Sequence, residues 1–173
     1  MPKYYTMYVT KQTIEERIRK YIGIAEPWSS DPMLDKRGAG VGDSIYWLNI
    51  RNGLLYVITA VRVGRILSYN DFSKQYGQDL ADGWPHGKLF YIASQAAAFS
   101  LSREVTPEDA GGIRFESVND RLKFSPANSD NLDPQTLRAS RVLTPDSALI
   151  LDSYIDHYVK VSSSEITALR KFL

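Results

Sequence analysis

The chain has 173 residues, 43% of them hydrophobic and 24% charged, enough apolar material for one domain with a sizeable core. It has no cysteine and only two histidines, His86 and His157, which excludes disulfides, thiolate nucleophiles and cysteine-based zinc or iron–sulfur centres and argues against a histidine-rich metal site. The net charge of +1 is unevenly placed: residues 1–70 carry 10 Lys and Arg against 6 Asp and Glu, residues 71–173 carry 11 against 14, so the basic half is the N-terminal one and is compatible with a polyanionic partner.

No apolar run approaches the ~20 residues of a membrane span. Lys3 and two tyrosines stand where a signal peptide needs its apolar core. The expectation is a soluble cytoplasmic protein with no membrane partner.

In chain order, Tyr4 to Thr10 alternates as a first strand. Thr13-Ile14-Glu15-Glu16 has the S/T-x-x-E form of a helix start, with Ile14, Ile18 and Ile22 on one face and Gly23 as a stop. Residues 25–42, AEPWSSDPMLDKRGAGVG, hold two prolines and several short polar residues, which predicts a long ordered loop, and long ordered loops tend to carry function. The Gly-rich run from Arg37 to Gly42 precedes a strand, whereas a phosphate-cradling loop follows one, so it reads as an approach to the next element.

Val41 to Leu67 is the strongest local signal. Ser44 to Ile50 and Leu54 to Leu67 are rich in β-branched and aromatic residues, and Asn52-Gly53 between them supplies a tight hairpin turn. The second arm is longer than a flat strand needs, which predicts bending, with Gly64 as the bulge. Ser68 to Asp71 reads as a helix entrance and Gly77 as its end. A second loop, residues 78–87, carries Asp82, Trp84 and His86, and residues 88–94, KLFYIAS, form another strand.

Beyond it, residues 96–105 read as a strand and Thr106-Pro107-Glu108 as a helix entrance with Pro at the first position. Residues 113–124 hold one or two short strands, and residues 125–134, SPANSDNLDP, form a polar turn. SREVTPEDA at 102–110 is echoed by SRVLTPDSA at 140–148; the likeness stops there, so it reads as one strand-to-helix junction used twice rather than a duplication. The end reads as two helices, Pro145 to about Tyr158 and Ser164 to Leu173.

No P-loop, nucleophile elbow, zinc-protease or dinucleotide fingerprint is present. The aromatic inventory says more. Trp28 and Trp84 lie in loops of Gly, Pro and short polar residues, where an indole either plugs a core or walls a pocket, whereas Trp47 alternates with Ile45 inside a strand and reads as core. Arg62 and Arg65 near the end of the long strand, and Lys36 and Arg37 in the first loop, are the cations available to phosphates.

The order YYTMYVT, EPWSSD, VGDSIYWLN, GLLYVITAVRVGRI and GKLFYIAS over residues 4–95 resembles the PUA-like superfamily, most closely its EVE and YTH-like branches. The resemblance implies one α+β domain over 1–173, a mixed, strongly curved sheet or pseudo-barrel with surrounding helices, residues 144–173 being a helical extension packed on it. It also implies a non-catalytic reader of DNA or RNA that inserts a modified or flipped base into an aromatic pocket, without a cofactor, in bacteria sometimes beside a separate nuclease partner. Trp28 and Trp84 take the cage positions, with Ser29, Ser30 and Trp47 beside them and Asn49 against the base edge. Lys36, Arg37, Arg62 and Arg65 are the expected phosphate contacts. The rivals are a small-ligand site or enzyme using His86 with Asp82 as an acid–base pair, and a protein-interaction module with exposed aromatics.

Overall fold

Asn52 and Gly53 both take the left-handed backbone conformation, with φ of 52° and 80°, the geometry a two-residue hairpin turn requires. In the computed structural model, which describes residues 1–15, 28–82 and 87–161, this turn joins the two central strands. The strands are β1 (Tyr4–Tyr8), β2 (Trp28–Ser29), β3 (Ser44–Arg51), β4 (Leu54–Ser68), β5 (Leu89–Ala97), β6 (Glu104–Val105), β7 (Phe124–Ser125), β8 (Asn128–Leu132), β9 (Arg141–Leu143) and β10 (Tyr158–Lys160). The helices are α1 (Pro32–Arg37), α2 (Tyr69–Tyr76), α3 (Gln78–Asp82), α4 (Pro107–Gly112) and α5 (Pro145–Asp152), with a 3-10 turn at Pro134–Leu137 and a helical stretch over 11–15.

The main sheet runs β10-β5-β4-β3-β1-β9, with β2 added on β5 and β6 on β4, while β7 and β8 form a separate hairpin. Among the described residues, only β1 and β3 pair in parallel. The α+β class holds, but the expected strongly curved sheet or pseudo-barrel does not: the sheet is open and is neither closed nor strongly curled. The length of β4 has another cause. Leu54 to Arg62 pair with β3, and on the other edge Val61 to Ser68 pair with β5, so one long strand serves two staggered neighbours.

The bends that this stagger needs are local. Opposite Trp47 and Leu48 the register on β4 jumps from Thr59 to Val57. Between β4 and β5, Gly64 and Ser94 are each skipped in the pairing. A Cβ on Gly64 would lie 2.7 Å from the Ser94 Cβ, so the bulge brings the two backbones closer than any side chain allows.

Both faces of the sheet are covered, which is why β3 is buried almost throughout instead of alternating. On one face Tyr46, Leu48 and Ile50 pack with Leu55, Val57, Ala148 and Leu151. On the other, Ile45 and Trp47 pack with Tyr5, Met7, Leu34, Val61, Val63 and Tyr91. A third cluster joins Trp28 and Phe90 to Phe72, Tyr76 and Ala81 of α2 and α3.

Several local expectations change. The 11–15 stretch is capped by Thr10, whose hydroxyl accepts from the Thr13 amide at 3.1 Å, so Thr13 lies inside the helical stretch. The predicted loop at 25–42 holds β2 and α1. Asp31 caps α1 by accepting from the Met33 amide at 2.6 Å, and Gly38 closes it at φ 69°. The predicted loop at 78–87 begins with α3, and 83–86 lie outside the described residues. β5 ends at Ala97, so of the strand expected over 96–105 only its two ends are strand. Residues 125–134 contain the β7–β8 hairpin rather than one polar turn. Helix α5 stops at Asp152, and Tyr158 opens β10 on the sheet edge; the helix expected over 164–173 lies outside the described residues. The two Thr-Pro junctions hold: Thr106 and Thr144 each cap a helix with Pro in its first turn.

Gly64→Ala is expected to lower stability by ~1–3 kcal/mol through overpacking, and adding Ser94→Gly is expected to recover part of it. Denaturant titration of the single and double variants measures both; equal losses in the two would show that the Gly64–Ser94 approach is not the cause.

Candidate functional site

Strand β2 is only two residues long, yet it fixes the expected pocket residues. Trp28 pairs with Ile92 and Ser29 with Tyr91. The Trp47 indole donates to the Ser29 hydroxyl at 2.8 Å. Ser30 donates to the Leu89 carbonyl at 2.6 Å and accepts from the Gly87 amide at 3.0 Å. Ser29, Ser30 and Trp47 are all buried, so their bonds tie β2 and the start of β5 to the sheet.

Asn49 follows Trp47 by two along β3 and therefore faces the same way. It is 1% exposed. Its Nδ2 donates to the Val9 carbonyl at 2.6 Å, which fixes the amide orientation, and its Oδ1 has no partner among the described residues. Asn49 pairs across the strands with Tyr56. The Arg51 guanidinium lies over the Tyr56 ring at 3.7 Å, and Arg51 also donates to the Leu101 carbonyl. Arg51 Nε is buried without a partner among the described residues. Tyr56 donates to Glu104 at 2.8 Å, and that bond raises its pKa. An orphan acceptor and an orphan donor thus stand two residues apart on β3, beside one half-buried ring. Leaving such groups unpaired costs ~1–3 kcal/mol each, which a ligand with the complementary pair would recover.

The remaining expected residues lie elsewhere. Trp28, 5% exposed, has the rings of Phe72 and Phe90 at 5.2 and 5.7 Å, so its indole sits in the third core cluster. Trp84 and His86 lie outside the described residues. Asp82, the expected partner of His86, accepts from the Tyr69 hydroxyl. Lys36 and Arg37 end α1, and Tyr5 reaches the Arg37 carbonyl at 3.4 Å. Arg62 and Arg65 are committed elsewhere. Arg62 lies over Tyr158 at 4.4 Å and donates to Gln95 at 3.2 Å, and Arg65 donates to the Tyr76 hydroxyl at 2.7 Å. Among the described residues no group of three His, Cys, Asp or Glu is placed to hold a metal.

A polar network on the opposite face had no signal in the sequence, because its members come together only through the fold. Tyr46 and Tyr158 both donate to Asp152 Oδ1, at 2.9 and 2.7 Å. Burial, then the neighbouring Tyr158 and Asp152, raises the Tyr46 pKa; burial, then the bond to Asp152, raises that of Tyr158. Two phenols aimed at one carboxylate oxygen hold the end of α5 and the start of β10 to the sheet.

The folded pKa of each of these phenols lies above the unfolded value of 10.0, so their stabilising contribution is complete below about pH 10 and is lost as pH rises beyond it. The denaturation midpoint is expected to fall as pH rises above about 10, and less steeply in Tyr46→Phe. A midpoint with the same slope in both proteins would count against the network. Trp28→Ala is expected to cost ~3–5 kcal/mol, as for a large ring removed from a core; an unchanged melting temperature would show that the indole is not packed as described.

Compared with models of known protein families, with curated proteins and with solved structures, the chain matches none.

Proposed function

We propose that this chain is a non-catalytic nucleic-acid-binding domain that reads one base, ordinary or modified, on the sheet face around Asn49 and Tyr56. The observation that carries the reading is the Asn49 amide. Its orientation is set by Val9, and its buried Oδ1 is left without a donor among the described residues. Each of the nucleobases carries an amino or imino N–H on its edge, and an asparagine amide pairs with such an edge through its own acceptor and donor. A good bidentate pair of this kind discriminates by ~1–3 kcal/mol. The half-buried Tyr56 ring pairs with Asn49 across the strands and supplies aromatic surface, the sequence-tolerant partner of bases in single strands. The same class of function is what the EVE- and YTH-like resemblance of residues 4–95 implies.

An acid–base enzyme has less support. No described histidine or carboxylate lies in this set except Glu104, which is held by Tyr56. The Asn49 face offers fixed hydrogen-bonding groups and rings, the equipment of recognition rather than of proton transfer.

The test is Asn49→Leu, measured with fluorescently labelled single-stranded DNA and RNA by anisotropy. The isosteric change removes the orphan acceptor together with the bond to Val9, two effects that oppose each other in stability. The melting temperature is therefore expected to stay close to that of the parent while affinity falls by about tenfold, the equivalent of ~1.4 kcal/mol. Undiminished binding by a folded Asn49→Leu protein would refute the reading, as would a parent protein that binds neither strand type.

A further inference from the structure

Asn49, Tyr56 and Glu104 stand directly opposite one another across β3, β4 and β6, so their side chains form one row on one face of the sheet. Arg51, two residues beyond Asn49 on β3, shares that face. Its guanidinium lies over the Tyr56 ring at 3.7 Å and donates through Nη2 to the Leu101 carbonyl. The Tyr56 ring is thus the common neighbour of the Asn49 amide and the Arg51 guanidinium. Tyr56 and Arg51 are half-buried and Glu104 is exposed, so the row reaches the surface.

Stacking and one bond to a backbone carbonyl leave this arginine incompletely used. Its Nε is buried without a partner among the described residues, and no described carboxylate lies within ion-pair distance of it. Glu104, the acid of the row, accepts instead from the Tyr56 hydroxyl at 2.8 Å. Arginine keeps its charge at any ordinary pH and can only donate, so Nε calls for a lone pair. The Asn49 Oδ1 makes the opposite demand. It is a buried acceptor with no partner among the described residues, and it calls for an N–H.

We propose that Arg51 is a specificity-determining residue that selects bases carrying a ring N–H beside a carbonyl, the lactam edge of guanine, uracil and thymine. The inference rests on base reading at Asn49 as proposed above and narrows its ligand. A lactam brings its N–H to Asn49 Oδ1 and its carbonyl oxygen to Arg51 Nε, a charge-assisted bond stronger than one between neutral groups. Adenine offers ring nitrogens but no carbonyl, and cytosine joined to a sugar has no ring N–H beside its carbonyl. Either base leaves one of the two buried protein groups poorly paired, the circumstance in which a polar site discriminates most. Tyr56, held by Arg51 on its face and by Glu104 at its hydroxyl, contributes stacking that is tolerant of base type.

The test measures the binding of labelled single strands to the parent, Arg51→Met and Arg51→Lys by anisotropy. The probes are thymine, adenine and cytosine homopolymer strands, and a pair of mixed strands differing only by hypoxanthine in place of adenine, which turns an amidine edge into a lactam edge on the same purine ring. The parent is expected to bind the thymine strand about tenfold tighter than the adenine or cytosine strand, and the hypoxanthine strand several-fold tighter than its adenine twin. These ratios are expected to fall toward one in Arg51→Met, which removes donor and charge, and in Arg51→Lys, which keeps the charge but lacks the Nε–H and the planar fork. A uniform loss of affinity in both variants that leaves the ratios intact would show an arginine acting through charge or structure alone, and overturns the proposal. Equal binding of the hypoxanthine and adenine strands by the parent overturns it too, a comparison that needs no variant and so holds even where one fails to fold; base reading survives that result if Asn49→Leu still lowers affinity. A parent that binds no strand defeats the base-reading function itself, and selection by Arg51 with it.

Discussion

The double pairing of β4 is the constraint on which the rest of this structure depends. One strand hydrogen-bonds β3 along its first half and β5 along its second, offset to opposite edges. Every other element takes its place from that stagger. β1 lies parallel to β3, β9 closes that side, and β10 and β2 both use β5. The offset is tolerable because the ladder can skip a residue where the backbones come close, and only glycine leaves room for that at position 64.

Because helices and loops cover both faces, polar side chains on β3 are buried whichever way they point, and each must be accounted for. Tyr46 finds Asp152 on one face and Trp47 finds Ser29 on the other. Both bonds join segments far apart in sequence, and both are fully used. Asn49 and Arg51 differ from them: each is anchored at one atom and leaves another buried without a partner among the described residues. That contrast within a single strand separates groups that build the fold from groups available to a ligand. The same contrast distinguishes the arginines. Arg62 and Arg65 pack on or bond to tyrosines, whereas Arg37 has a buried Nε with no partner among the described residues.

The aromatic residues illustrate how far residue type can mislead. Trp28 and its Pro-flanked loop have the composition of a pocket wall, yet the indole is enclosed by Phe72 and Phe90, which stack on each other at 4.0 Å. A short strand at 28–29 is enough to turn that loop into part of the core, because pairing with β5 rotates the indole toward α2. Asn49, by contrast, sits in a strand that reads as ordinary core, and its amide becomes interesting only once its neighbours are known.

What the sequence by itself determined was local. The Asn52-Gly53 hairpin, the bulge at Gly64, the helix between Ser68 and Gly77 and the two Thr-Pro helix starts all follow from backbone conformations that few residues can adopt, or from hydroxyls one turn away from the amides they cap. The tertiary structure alone decided whether the sheet closed, since a long strand has the same composition whether it coils or serves two staggered partners. It also decided that Tyr46 and Tyr158 share one oxygen of Asp152, and that the buried acceptor of Asn49 has no partner among the described residues. Satisfaction of a polar group depends on what the chain brings back from tens of residues away, and no pattern of spacing within one segment encodes that.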